Sequence, residues 1–159
     1  PICDWEADTV LGTQASVALV TLTERKTRTT LVAKVESRKA DQVSAAIIAM
    51  LTPLKSLVHT ITFDNGKEFA GHEAIAAALE ADCYFADPYS SWQRGLNENT
   101  NGLLRQYFPK GESLDAVTAE DVAFAVGRLN TRPRKCLDWR TPHHVMLAAI
   151  KSQGVALRT

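Results

Sequence analysis

Three strand-like segments open the sequence, and helical and strand-like segments alternate after them; no other feature constrains the fold as strongly. The first segment covers residues 3–11 and ends at Gly12. Two further apolar, β-branched runs lie within residues 15–35, and the polar tetrapeptide 24–27 separates them as a turn. Three consecutive strands of this kind predict an antiparallel meander.

The rest of the chain changes its hydrophobic period several times. Val43, Ile47 and Met50 recur at helical spacing until Pro53 ends the run. The other predicted elements are a strand over 59–63, a helix over 72–79, a strand over 83–85, a polar helix from about 95 to 107, and helices near 118–129 and 141–150. This order predicts an α/β fold with a mixed five-stranded sheet, three antiparallel strands and then parallel strands, flanked by helices.

Length and composition set the broad class. We expect residues 1–159 to form a single domain, because this length can bury a sizeable core. Since the sequence begins at Pro1 without a Met, we also expect that domain to come from a longer chain. The longest apolar stretches fall well short of the roughly 20 residues needed to cross a bilayer. These features favour a cytoplasmic protein that makes no membrane contact.

The charged and metal-binding residue types point to no simple class of partner. Formal net charge is zero, with 18 Lys+Arg against 18 Asp+Glu, so any DNA contact must come from local patches. The three cysteines form no Cys-x-x-Cys pair, which argues against a disulfide framework or a zinc knuckle. The four histidines lack the spacing of common zinc motifs.

Three carboxylates stand where the predicted sheet would bring them to one edge. Asp8 lies in the first strand, Asp64 directly follows the 59–63 strand, and Glu98 lies near the start of the polar helix. If the first and fourth strands are neighbours, Asp8 and Asp64 face each other across roughly 5 Å. Like charges in a cleft need a compensating cation, and carboxylates suit hard divalent ions. With 18 acidic residues in the chain, three solvated surface groups remain the alternative interpretation.

Segments around all three acids resemble a known family. WEADTV at 5–10, TFDNGKEF at 62–69 and FADPYSSWQRGLNENTNG at 85–102 resemble the insertion-sequence-thirty family of bacterial transposases. The similarity continues through 103–111 and 130–137, and thus covers most of the chain from residue 3 to about 147. The 33 residues between Asp64 and Glu98 agree with the family's spacing of its second and third acids. Nothing here corresponds to the family's amino-terminal helix-turn-helix region, so we expect weak sequence recognition.

The resemblance implies a ribonuclease-H-like fold, shared with retroviral integrases, and an Asp-Asp-Glu triad. Asp8, Asp64 and Glu98 match the triad positions, with Asp4 as a rival for the first. The implied activity is metal-dependent cleavage at transposon ends and strand transfer into target DNA, with Mg²⁺ or, as a substitute, Mn²⁺. A homodimer and association with the nucleoid follow by analogy. A nuclease of the same fold and a catalytically silent DNA-binding or assembly module are the rival functions.

Several residues near the triad are candidates for DNA contact. Positive charge beside a metal cleft is what a phosphate backbone requires. The candidates are Lys67, Arg94, Asn101, Arg105 and Lys110. Tyr89 and Trp92 would stack on an unpaired base, although buried packing is the commoner fate of such aromatics. For each cation, a solvated surface position is the alternative.

Overall fold

Five strands form one mixed sheet at the centre of the computed structural model, which describes residues 2–13, 16–87 and 95–154. The strands are β1 (Asp4–Leu11), β2 (Ala18–Glu24), β3 (Thr30–Val35), β4 (Thr60–Phe63) and β5 (Asp82–Phe85). Their order across the sheet is β3-β2-β1-β4-β5. The first three strands pair antiparallel, and β1–β4 and β4–β5 pair parallel. The predicted meander and the mixed sheet are confirmed, and the first and fourth strands are neighbours in it.

In the described part of the chain, five α-helices flank the sheet, and short 3₁₀ turns lie in some of the connections. They are α1 (Ala40–Leu51), α2 (His72–Leu79), α3 (Gly95–Leu104), α4 (Ala119–Asn130) and α5 (Pro142–Gln153). Helix α4 begins with a capping box in which the Thr118 side chain accepts from Asp121 N and the Asp121 side chain accepts from Thr118 N. No helix in the described part of the chain is long and apolar enough to cross a membrane.

Helix α3 ends earlier than the polar pattern predicted. The pattern extended to residue 107, but the helix stops at Leu104. Beyond it, Gln106 N bonds to Leu103 O and Tyr107 N bonds to Leu104 O, which is the tighter spacing of a 3₁₀ turn. Pro109, which has no backbone N–H, follows this turn. The predicted end of this helix was therefore wrong by three residues.

Strand β1 separates two different environments through its alternating side chains. Trp5 and Ala7 are fully buried and pack in the core beneath α1 and α2, together with Ile61 and Phe63 of β4. Because successive side chains point to opposite faces, Asp4, Glu6 and Asp8 share the other face. That face also carries a second apolar cluster, which includes Val10, Leu19, Leu104 and Leu129. The face of the sheet that carries these acids is thus covered by α3 and α4.

The three cysteines are free thiols in different settings. Cys3 is buried, Cys83 is partly buried in β5, and Cys136 is exposed. Burial, with a smaller contribution from Asp82, raises the pKa of the Cys83 thiol to about 11. At neutral pH this side chain therefore behaves as an unreactive thiol.

The burial of Trp5 yields a stability prediction. Its indole Nε1 donates to Leu57 O at 2.9 Å from a fully buried position. We expect Trp5→Phe to lower the free energy of unfolding by about 2–3 kcal/mol, because it leaves a cavity and an unpaired carbonyl. Trp139 is 68% exposed, so Trp139→Phe should change stability by less than about 0.5 kcal/mol. Urea unfolding followed by circular dichroism measures both, and equal losses would contradict the assigned core.

Candidate active site

Two of the predicted acids stand at matching positions along neighbouring parallel strands: Asp8 lies within β1, and Asp64 directly follows the end of β4. The strand register pairs Ala7 with Phe63, so Asp8 and Asp64 occupy the next matching positions. Both residues are half-buried. At Asp64 the chain turns, and Gly66 N donates to Asp64 Oδ1 at 2.8 Å, the Asx-turn bond that this turn sequence favours.

Helix α3 lies against the polar face of the sheet and contacts Asp8 directly. Asn101 Nδ2 donates to Asp8 Oδ2 at 2.9 Å, while Thr9 N donates to Asp8 Oδ1 at 2.8 Å. Thr23 Oγ1 of β2 donates to Thr100 Oγ1 at 3.1 Å in a buried contact. The helix carries polar residues because the face of the sheet that it contacts is polar. Farther along the helix, Leu104 belongs to the apolar cluster.

Glu98 lies one helical turn before Asn101, on the same side of α3. Residues three positions apart stand one above the other on a helix, so the bond from Asn101 to Asp8 also positions the turn that carries Glu98. The Glu98 side chain is exposed. The structure thus ties the helix of the third predicted acid to the strand of the first.

A metal site at these acids remains a prediction. Within residues 2–13, 16–87 and 95–154, no three His, Cys, Asp or Glu side chains surround one point in the manner of metal ligands. The donor chemistry nevertheless fits a hard divalent cation, since Asp8, Asp64 and Glu98 all offer carboxylate oxygens.

Two further carboxylates near the candidate site were missed by the sequence patterns. Glu6 shares the β1 face with Asp8, and its burial raises the pKa of its carboxyl group despite the nearby cation Arg25. Glu68 is 7% exposed and accepts from Thr9 Oγ1 at 3.1 Å. The TFDNGKEF segment contained a signal for Glu68, because the acid stands four residues after Asp64 and directly before the buried Phe69.

A groove of about 460 Å³ lies next to Asp8 and carries several of the predicted DNA-contact residues. Thr9, Asn101, Arg105 and Lys110 are among the residues that line it. The Arg105 guanidinium donates to Leu11 O at 2.9 Å and to Phe108 O at 3.4 Å, which fixes its position at the groove wall. Three of the five candidates therefore share one surface.

The other candidates lie elsewhere or outside the described residues. Lys67 is exposed on the short turn that follows Asp64. Arg94, Tyr89 and Trp92 fall outside the described residues, so their predicted roles stay predictions. Asn101, predicted as a DNA contact, has an amide that bonds to Asp8 in this structure.

The sequence of this chain is similar to the sequences of known transposases. No protein-family model matches the chain. The transposase for insertion sequence element IS4351 of Bacteroides fragilis is 44% identical over 153 residues, which cover 96% of this chain and 47% of that protein. The transposase InsI for insertion sequence element IS30A of Escherichia coli is 40% identical over 154 residues, covering 96% of this chain and 39% of that protein. The resemblance to the insertion-sequence-thirty transposases is confirmed.

The fold comparison agrees with this family. The catalytic core domain of BIV integrase superposes with a TM-score of 0.71 at 19% identity, covering 94% of this chain and 97% of that one. The ribonuclease-H-like fold expected of insertion-sequence-thirty transposases is therefore confirmed. The chain spans less than half the length of the two transposases compared above.

The contact between Asn101 and Asp8 yields a test of the site's construction. Asn101→Ala removes a hydrogen bond to a charged group, whereas Asn99→Ala alters an exposed asparagine on the same helix. Both variants gain the same helix propensity, so their difference isolates the bond. We expect Asn101→Ala to be less stable than Asn99→Ala by about 1–2 kcal/mol. Identical unfolding midpoints in urea would show that α3 is not held at Asp8 in this way.

Proposed function

We propose that this chain is the catalytic core of a DNA transposase and that Asp8, Asp64 and Glu98 form its active site. The observation that carries the proposal is the parallel register of β1 and β4, whose last residue pair, Ala7 and Phe63, directly precedes Asp8 and Asp64. Asn101 bonds the helix that carries Glu98 to Asp8. The fold of an integrase catalytic core and the sequence relation to transposases support the same reading.

Divalent metal ions suit this carboxylate set. Asp8, Asp64 and Glu98 would hold Mg²⁺, or Mn²⁺ as a substitute, because hard cations prefer carboxylate oxygens. When bound, such ions supply charge stabilisation at both the attacking and the leaving oxygen of a displacement at phosphorus. The protein's part is to keep two acids in fixed register and to hold the third on a helix.

The proposed reaction consists of two displacements at phosphorus. In the first, the oxygen of a water molecule attacks a phosphodiester at the transposon end, the bond from phosphorus to the 3′ oxygen breaks, and that oxygen leaves as a 3′-hydroxyl after taking up a proton. In the second, this hydroxyl loses its proton and attacks a target phosphodiester, which releases the target's own 3′-hydroxyl. Each step makes one P–O bond and breaks one.

The groove beside Asp8 is the proposed path of the DNA backbone. Arg105 and Lys110 line it, and Lys67 lies on the turn after Asp64. These cations provide local positive charge in a chain of zero formal net charge. Because transposition joins two DNA ends, we expect two copies of the enzyme to act together, in keeping with the predicted homodimer and a nucleoid location when DNA is bound.

Removal of one triad charge tests the active site. Asp64→Asn keeps the side-chain shape but loses the charge, so we expect nicking of supercoiled plasmid in Mn²⁺ or Mg²⁺ to fall by about 100-fold or more with an unchanged unfolding midpoint. Asp115→Asn, at an exposed residue, is the matched control and should retain full activity. Wild-type nicking by Asp64→Asn would refute the site. Joining of pre-cut ends to a target distinguishes a transposase from a nuclease of the same fold.

The groove makes a separate prediction about binding. Lys110→Ala should weaken binding to duplex DNA of any sequence and reduce the slope of log affinity against log salt by about 1, because one phosphate contact is lost. Lys151→Ala, at an exposed lysine on α5, is the control and should leave both quantities unchanged. Fluorescence anisotropy over a salt series measures them. Equal behaviour of the two variants would place the DNA elsewhere.

A further inference from the structure

Glu68 is a buried carboxylate on the turn that follows Asp64, and its side chain contacts Thr9, the residue after Asp8 in β1. It lies on the short 3₁₀ turn Lys67–Phe69, and its side chain is 8% exposed. Buried carboxylates are costly unless they are paired and hydrogen-bonded, so the contacts of this one indicate its role.

The first carboxylate oxygen of Glu68 connects to Asp8 through Thr9. Glu68 Oε1 accepts from Thr9 Oγ1 at 3.1 Å. The backbone N–H of that same threonine donates to Asp8 Oδ1 at 2.8 Å. Because Thr9 is held by its side chain and donates by its backbone, Glu68 helps to fix the backbone that orients the Asp8 carboxylate.

The second carboxylate oxygen of Glu68 lies near both Asp64 and the guanidinium of Arg38. A methyl group added at Gly66 would lie 2.5 Å from Glu68 Oε2 and 2.8 Å from Asp64 Oδ1, so both carboxylates border the same small space. Glu68 Oε2 is also 3.6 Å from Arg38 Nη2. Asp64 and Arg38 therefore act on Glu68 with opposite sign.

We infer that Glu68 is a positioning residue of the active site, which orients Asp8 through Thr9 and adds negative charge beside Asp64 that strengthens divalent-cation binding. This inference rests on the proposed function. Residues that support metal ligands from behind typically change metal affinity by about 10–100-fold when they are mutated. Arg38 weakens the binding of that divalent cation, because its guanidinium already neutralises part of the Glu68 charge.

The inference predicts opposite effects from two variants that break the same ion pair. Glu68→Gln keeps an oxygen that accepts from Thr9 but loses the charge, so Mn²⁺ affinity should fall by about 10-fold or more. Arg38→Gln leaves the charge of Glu68 unopposed, so Mn²⁺ affinity should rise. A merely structural ion pair would move both variants in the same direction. Titration calorimetry with Mn²⁺ alone measures the affinity, and urea unfolding without metal measures the stability.

Further outcomes separate this inference from the proposed function. If Asp64→Asn binds Mn²⁺ as the wild type does, the metal site is refuted and the role of Glu68 with it. If Asp64→Asn loses Mn²⁺ binding while Glu68→Gln keeps it, only the role of Glu68 is refuted. Should Glu68→Gln fail to fold, the Arg38→Gln titration decides alone: tighter Mn²⁺ binding supports the inference, and unchanged or weaker binding overturns it.

Discussion

The parallel pairing of β1 with β4 is the constraint on which the site depends. Side chains alternate along a strand, so the register that buries Trp5 and Ala7 against Ile61 and Phe63 also places Asp8 on the opposite face, with Asp64 directly after the last residue of β4. A slip of one residue would drive Asp8 into that core. Hydrophobic packing on one face of the sheet therefore determines where the acids stand on the other.

Helix α3, which carries Glu98, packs on the sheet largely through polar side chains. Most helices in this chain bury an apolar stripe, but the first turns of α3 bury Asn97 and Thr100 and bond to the sheet through Asn101. Short polar helices gain little stability from propensity, so this one depends on its tertiary contacts. The same contacts also hold the preceding turn of the helix, which carries Glu98.

Much of the fold could be predicted from the sequence, because the local spacing of apolar residues indicates its helices and strands. Helices over 40–51 and 72–79 follow from apolar spacing and a following proline or turn, whereas the order of strands and helices allowed the β1–β4 pairing without predicting it. The end of α3 was predicted wrongly. The helix-like sequence continues past Leu104, but the backbone there forms a 3₁₀ turn, which the sequence pattern does not distinguish from an α-helix. Contacts between residues far apart in the sequence were harder to predict. Glu68 contacts Thr9, 59 positions away, and Asn101 contacts Asp8, 93 positions away. The sequence near each of these residues does not show which distant residue it contacts.

We propose that Asp8, Asp64 and Glu98 share divalent cations. Anomalous diffraction from crystals soaked in Mn²⁺ can decide this, because the signal locates the metal independently of activity. We expect one or two peaks within about 2.5 Å of carboxylate oxygens of Asp8 and Asp64, with Glu98 contributing a ligand to at least one. Ordered Mn²⁺ bound only elsewhere on the molecule, with these three carboxylates separated and solvated, would contradict it.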